Sequence, residues 1–270
     1  MDLAKILLES FRLLRKKPKA FIPRIITTAL YSVVIISLML IFSDLYPALQ
    51  GGGMDGRPDI IASQGVESAL WGGLALMAFM PALYFIDLMS YAMYPRIVSD
   101  YRSGKEIDLI AALRESAKAW KVVSVLGVLL FIFASLVGSV VAFTYLMYVI
   151  SGNPLPLIAA SLMALAMTLF FAIIAFFVVP SAVVGGRGVL DSFRDSYSLG
   201  ISHGWDLLKL NTMFLLLIAA TMALAYLVKT DETLSAVSLA FFLILRLVEA
   251  VVYTYLSVTN PMAYLEVGVK

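Results

Sequence analysis

The sequence predicts an all-α polytopic membrane protein. Six transmembrane helices are expected as three repeated hairpins, each preceded by a cytoplasmic amphipathic helix in the membrane interface. Three observations predict it. The 270-residue chain is 61% hydrophobic and 14% charged, where a soluble domain is roughly 45–50% apolar and about 25% charged. Its charges gather in short clusters between apolar runs longer than the roughly 18 residues that mark a spanning helix. Prolines, arginines and tryptophans recur at a near-constant offset along the chain.

The spans are expected at 20–42, 68–94, 122–150, 155–184, 210–228 and 233–260. At about 1.5 Å of rise per residue the longer runs exceed a hydrocarbon core of about 30 Å, so they tilt, bend or protrude. Backbone in lipid must satisfy its own hydrogen bonds, which makes runs of this length helices. The alternating strands of a β-barrel are absent from the sequence. The first run is too long for the apolar region of a cleaved signal and follows a charged helix, so it is read as a span. The whole chain, 1–270, reads as one integral membrane domain.

Basic residues sort by side. Arg12, Arg15, Lys16, Lys17, Lys19 and Arg24 precede or enter the first span. Arg96, Arg102, Lys105, Arg114, Lys118 and Lys121 lie between the second and third, and Arg187, Arg194 and Lys209 between the fourth and fifth. The opposite loops hold Arg57 and Lys229 against Asp44, Asp55, Asp59, Glu67, Asp231 and Glu232. The positive-inside rule therefore puts both termini in the cytoplasm of a multi-pass cell-membrane protein.

The even spans end in "YPRIVSDYR", "VPSAVVGGR" and "NPMAYLEVG". Pro95 and Pro180 are 85 residues apart, as are Arg102 and Arg187, and Trp120 and Trp205; Pro261 follows Pro180 by 81. Shortly before each odd span stand "ESFRLL", "ALRES" and "DSFRDS". These read as surface helices at 3–14, 107–119 and 189–202, with apolar stripes at helical spacing: Leu3, Leu7, Phe11 and Leu14; Ile110, Leu113, Ala117 and Trp120; Leu190, Phe193, Tyr197 and Ile201. The repeats are placed at 1–100, 101–185 and 186–270. Gly185, Gly186 and Gly188 are expected to let the chain leave the fourth span and turn flat.

Six spans, amphipathic cytoplasmic helices, an even span ending in proline and a following "DSFRDSYSLGISHGW" resemble the membrane-domain family attached to some glycerophosphodiester phosphodiesterases, which also occurs as free-standing prokaryotic proteins. The resemblance implies a helical membrane domain without assigned chemistry. The phosphodiesterase domain itself is absent from the sequence.

Enzyme chemistry finds little to stand on. There is no cysteine, one histidine and no H-E-x-x-H, so neither thiolate chemistry nor a zinc site is expected, and no cofactor. "QGGGMDGRPD" lacks the G-K-[ST] of a phosphate loop and reads as a flexible loop. His203 lacks a neighbouring acid–base set and is read as an interfacial or headgroup-contacting histidine. Trp120 and Trp205 suit the headgroup level. Arg12, Arg15, Lys16, Lys17, Lys19 and Lys121 are expected to draw anionic inner-leaflet headgroups. Nucleic acid is not an expected partner; a protein partner or a second copy is. Small residues every fourth position, at Ala134, Gly138 and Ala142 and at Ala160, Ala164, Thr168 and Ala172, predict close helix packing.

Three charges inside spans stand out: Asp87 in the second, Arg246 and Glu249 on one face of the sixth. Charge at bilayer depth is costly, so such residues face a bundle interior, pair, and mark function. Arg246 is expected to pair with Glu249, Asp87 or both. Two functions remain open. The first is a non-enzymatic accessory, scaffold or bilayer-organising subunit contacting inner-leaflet lipid. The second is a small transporter or channel whose path is lined by Asp87, Arg246 and Glu249, on a plan of three helix pairs like that of mitochondrial solute carriers. A cavity reaching the charges favours the second; a tightly packed centre favours the first.

Overall fold

A computed structural model describes the backbone of residues 1–50, 60–227 and 236–268, and the side chains of 1–40, 71–74, 78–224 and 239–268. The glycine-rich segment from 51 to 59, Lys229, Asp231 and Glu232, and the side chains of Asp44 and Glu67 lie outside these residues. The described chain is helical throughout, without strands. In order come α1 (Leu3–Lys16), a 3-10 turn (Pro18–Phe21), α2 (Ile22–Gln50), α3 (Ile60–Ala92), α4 (Tyr94–Arg102), α5 (Leu109–Lys118), α6 (Trp120–Ser151), α7 (Leu155–Ala175), α8 (Val178–Val183), α9 (Val189–Ser202), α10 (Gly204–Leu227) and α11 (Ala236–Val267). Six of the described helical stretches are long and apolar enough to cross a membrane, which is the build of a multi-pass membrane protein.

Local chemistry sets the helix ends. Asp2 caps α1 by accepting from the Lys5 N–H at 3.0 Å, and Asp108 caps α5 by accepting from Ile110 and Ala111. Pro95 sits in the first turn of α4, where a missing N–H costs nothing. Gly152 closes α6 and Gly186 follows α8, both left-handed at φ 69° and 62°. Gly186 makes the turn out of the fourth span; Gly185 and Gly188 keep negative φ. Pro261 differs from expectation: it lies inside α11, which continues to Val267.

The spanning helices close on one another in chain order. α2 packs on α3, α3 on α6, α6 on α7, α7 on α10, α10 on α11, and α11 back on α2. The ring is plugged at its proline end. There α4, α8 and the last turns of α11 touch one another, and α1, α5 and α9 pack beside them. Tyr94, Phe177, Ile97, Leu207, Met262, Ile6 and Leu13 are fully buried in this plug. Elsewhere the spans turn large apolar side chains outward, including Phe131, Leu136, Phe143, Leu162 and Leu216. A surface so apolar suits lipid, not water.

The three short helices α1, α5 and α9 bury their small faces. Ser10 of α1, Ala112 and Ser116 of α5, and Ser192, Ser196 and Gly200 of α9 are all turned into the protein. A Cβ on Gly200 would sit 2.7 Å from the Ile173 carbonyl oxygen, so α9 lies directly on the α7 backbone. The apolar stripes read from sequence for α5 and α9 largely point the other way, while Leu3 and Leu7 of the α1 stripe pack against the core. Ile110, Leu113 and Trp120 are exposed, as are Leu190, Tyr197 and Ile201, and Phe11 on α1. Only Leu14 of the first stripe is buried; the bundle-facing row of α1 is Ile6, Ser10 and Leu13.

Candidate functional site

Inside the ring lies a cavity of about 650 Å³, and all six spans contribute to its lining. Most of its polar lining gathers toward the plug: Arg24 from α2, Tyr91 from α3, Asn211 from α10, and Ser257 and Asn260 from α11, with Tyr253 of α11 and Thr168 of α7 further along. Its walls are apolar: Leu126, Leu130, Phe133 and Val137 on α6, Phe171 and Ala175 on α7. Phe133 and Phe171 stack with ring centroids 4.5 Å apart, bridging α6 and α7.

Arg24 is held by three helices. Its Nη1 pairs with the Asp87 carboxylate of α3, and its Nε and Nη2 donate to Ser257 Oγ of α11, both at 3.2 Å. Its guanidinium carbon lies 5.8 Å from the centre of the Tyr91 ring, within cation–π range. Arg246 of α11 pairs with Glu249 one turn along the same helix, and its Nε donates to Ser32 Oγ of α2 at 3.3 Å.

The expected pairing of Arg246 with Glu249 is present; Asp87 has another partner. The reason is axial. Ser257, which shares Arg24 with Asp87, is eight residues from Glu249 on α11, about 12 Å of helical rise. The structure thus makes two ion pairs at two depths instead of one cluster. Tyr31 and Tyr253 lie within electrostatic range of both pairs.

Asn260 closes a backbone gap. Pro180 lacks the N–H that would bond the carbonyl four residues before it, at Phe176. Asn260 Nδ2 donates to that Phe176 oxygen at 2.6 Å and to Tyr91 Oη at 2.7 Å. Because the carbonyl only accepts, the amide orientation is fixed, and Asn260 Oδ1 is left buried without a partner. Asn211 Nδ2 is also buried and unpartnered. Ser196 completes the break between α7 and α8, accepting from the Phe177 N–H at 3.0 Å and donating to the Ile174 carbonyl.

The small-residue stripes have a different use from the one expected. Ala134, Gly138, Thr168 and Ala172 line the cavity, and a Cβ on Gly138 would meet nothing within 4 Å. They open space between helices. Close approach occurs instead at Gly127, whose added Cβ would come within 2.4 Å of the Leu88 side chain.

The residues expected at the headgroup level lie outside this site. Arg12, Arg15, Lys16, Lys19 and Lys121 are exposed and Lys17 is half-buried. Trp120 and Trp205 are exposed at the starts of α6 and α10, each with a lysine over its ring: Lys121 at 6.0 Å and Lys209 at 5.6 Å. His203 follows the end of α9, its Nδ1 near Ser202 Oγ and the Leu199 carbonyl. Among the described residues no cluster of metal-ligating side chains occurs.

Arg24, Asn211, Asn260 and Ser257 were not singled out from sequence. Arg24 carries a signal, being a charge within the bounds of the first span, but in sequence it merges with the basic cluster beside it. The others sit at or near span ends, where polar residues are ordinary. Comparison with protein-family models, curated proteins and solved structures finds no match.

Proposed function

We propose that the chain is a small-molecule carrier or channel whose path is the cavity within the six-helix ring. One observation carries this reading: the cavity has Arg24 in its lining, so it reaches the Arg24–Asp87 pair instead of ending in apolar packing. A scaffold has no use for a costly ion pair at the base of a void. Asp87, Arg246 and Glu249 themselves do not line the cavity; Arg246 and Glu249 form a second charged level further along α11.

The proposal includes the finer architecture. The three segments that follow the proline positions meet in one plug, and each short helix packs on the preceding even span, α5 on α3, α9 on α7 and, cyclically, α1 on α11. That pattern supports three repeats about an axis along the membrane normal, with the plug and both termini cytoplasmic. The outward apolar stripes of α5 and α9, with Phe11 and Leu8 exposed on α1, support their lying in the inner leaflet, where the basic residues and both tryptophans would contact headgroups. The resemblance to the phosphodiesterase-associated membrane domains accords with this plan.

The chain has no cysteine, so single cysteines report on access. In sealed vesicles, the Gly138→Cys and Thr168→Cys variants are expected to react with a charged, membrane-impermeant methanethiosulfonate reagent added opposite the plug. The lipid-facing Leu136→Cys and Leu162→Cys variants should stay unmodified. Cavity variants as inert as the lipid-facing ones, with reagent on either side, would return the protein to the scaffold reading.

A further inference from the structure

We infer that the cavity binds an elongated amphiphile with an uncharged head that accepts a hydrogen bond, such as a carboxamide. This deepens the carrier reading and rests on it. Four features of the cavity carry the inference. Leu126 and Gly138 both line it from α6, twelve residues apart, so the apolar wall runs along about 18 Å of helix. That suits a chain better than a compact solute. Apart from Tyr253 and from Thr168, whose hydroxyl donates to the Ala164 carbonyl of its own helix, the polar groups gather at the plug end of this wall, which sets the orientation: head toward the plug, tail along α6 and α7.

The head chemistry follows from what the protein leaves unused. Asn211 lines the cavity, and its Nδ2 donor is without a partner among the described residues. Asn211 is only 8% exposed, so bulk water does not satisfy it. A buried polar group without a partner is costly, which makes one supplied by a ligand favourable. No bond holds the Asn211 Nδ2 group in place, so a small rotation presents it to the cavity. Among the described residues Arg24 is the single charged side chain in the lining, and Asp87 already neutralises it. A charged head would be desolvated without a counter-charge, whereas an uncharged one is not penalised.

The test uses the full chain in phosphatidylcholine nanodiscs and a diazirine-bearing dodecanamide as photoprobe. Crosslinks are expected within 126–138 and 168–176, displaced by excess dodecanamide and not by dodecanoate or dodecylammonium. Gly138→Leu fills the open space beside its backbone and should cut specific labelling at least tenfold. Asn211→Leu loses one hydrogen bond to the head and should cut it about threefold to tenfold. Both variants should unfold at temperatures no lower than the native chain. Displacement by either charged analogue as effective as by the amide would overturn the inference, as would native-level labelling of Gly138→Leu or crosslinks scattered over lipid-facing positions. A chain whose cavity cysteines react with aqueous reagent but which fails this test keeps the carrier reading and loses only the ligand class.

Discussion

Arg246 and Glu249 illustrate how a membrane helix tolerates charge. They stand one turn apart on α11, both part-buried, and Ser32 takes the remaining Arg246 contact across to α2. Removing one member strands the other in a poorly solvated place, at about 3 kcal/mol by the measure of broken buried pairs. Arg246→Met should therefore lower the thermal midpoint of detergent-solubilised protein clearly, and a further Glu249→Gln should restore part of the loss. Equal midpoints for the single and double variants would mean that Glu249 carries no penalty once Arg246 is gone. Asn211 gives the opposite expectation. Its Nδ2 has no partner, so replacing it by leucine removes an unmet donor instead of a bond.

At the scale of elements, the break between α7 and α8 shows a helix repaired from outside. Pro180 leaves the Phe176 carbonyl without its N–H, and Asn260 of α11 supplies the missing donor. Ser196 of α9 serves two more groups of the same break. Three elements are thereby tied at one point of the plug. Asn260→Leu should cost about 1–3 kcal/mol, the penalty of an unmet buried acceptor. Pro180→Ala restores an N–H within reach of that carbonyl, so the double variant should be more stable than the sum of the single effects predicts. A denaturation cycle measures this coupling, and strict additivity would show that the carbonyl does not depend on Asn260.

For the whole molecule, the arrangement of surfaces is the informative feature. The spans present apolar side chains outward, the cavity lies within, and the basic residues of α1 sit beside the plug. Arg12, Arg15, Lys16 and Lys19 are exposed there, and each is expected to contribute about 1 kcal/mol of attraction to an anionic leaflet. Replacing all four by glutamine should reduce the enrichment of anionic lipid around the protein in mixed bilayers, while its behaviour in phosphatidylcholine stays the same. An unchanged lipid preference would place that face of α1 in bulk water.

The sequence by itself determined that the chain is helical, that six stretches are long and apolar enough to cross a bilayer, and where α1, α5 and α9 stand. Those follow from length, hydropathy and local caps, which act within a few residues. The prolines were less decisive: the break between α7 and α8 falls inside the expected fourth span, and α11 runs on through Pro261. Only the tertiary structure decided that Asp87 meets Arg24, 63 positions away. It also decided that Gly138 and Thr168 open a cavity, and that the apolar stripes of α5 and α9 face outward. Each of these depends on how a helix is rotated about its own axis within the ring. A soluble helix reveals that rotation through its apolar face, but lipid is as apolar as a protein interior, so a spanning helix carries almost no such contrast.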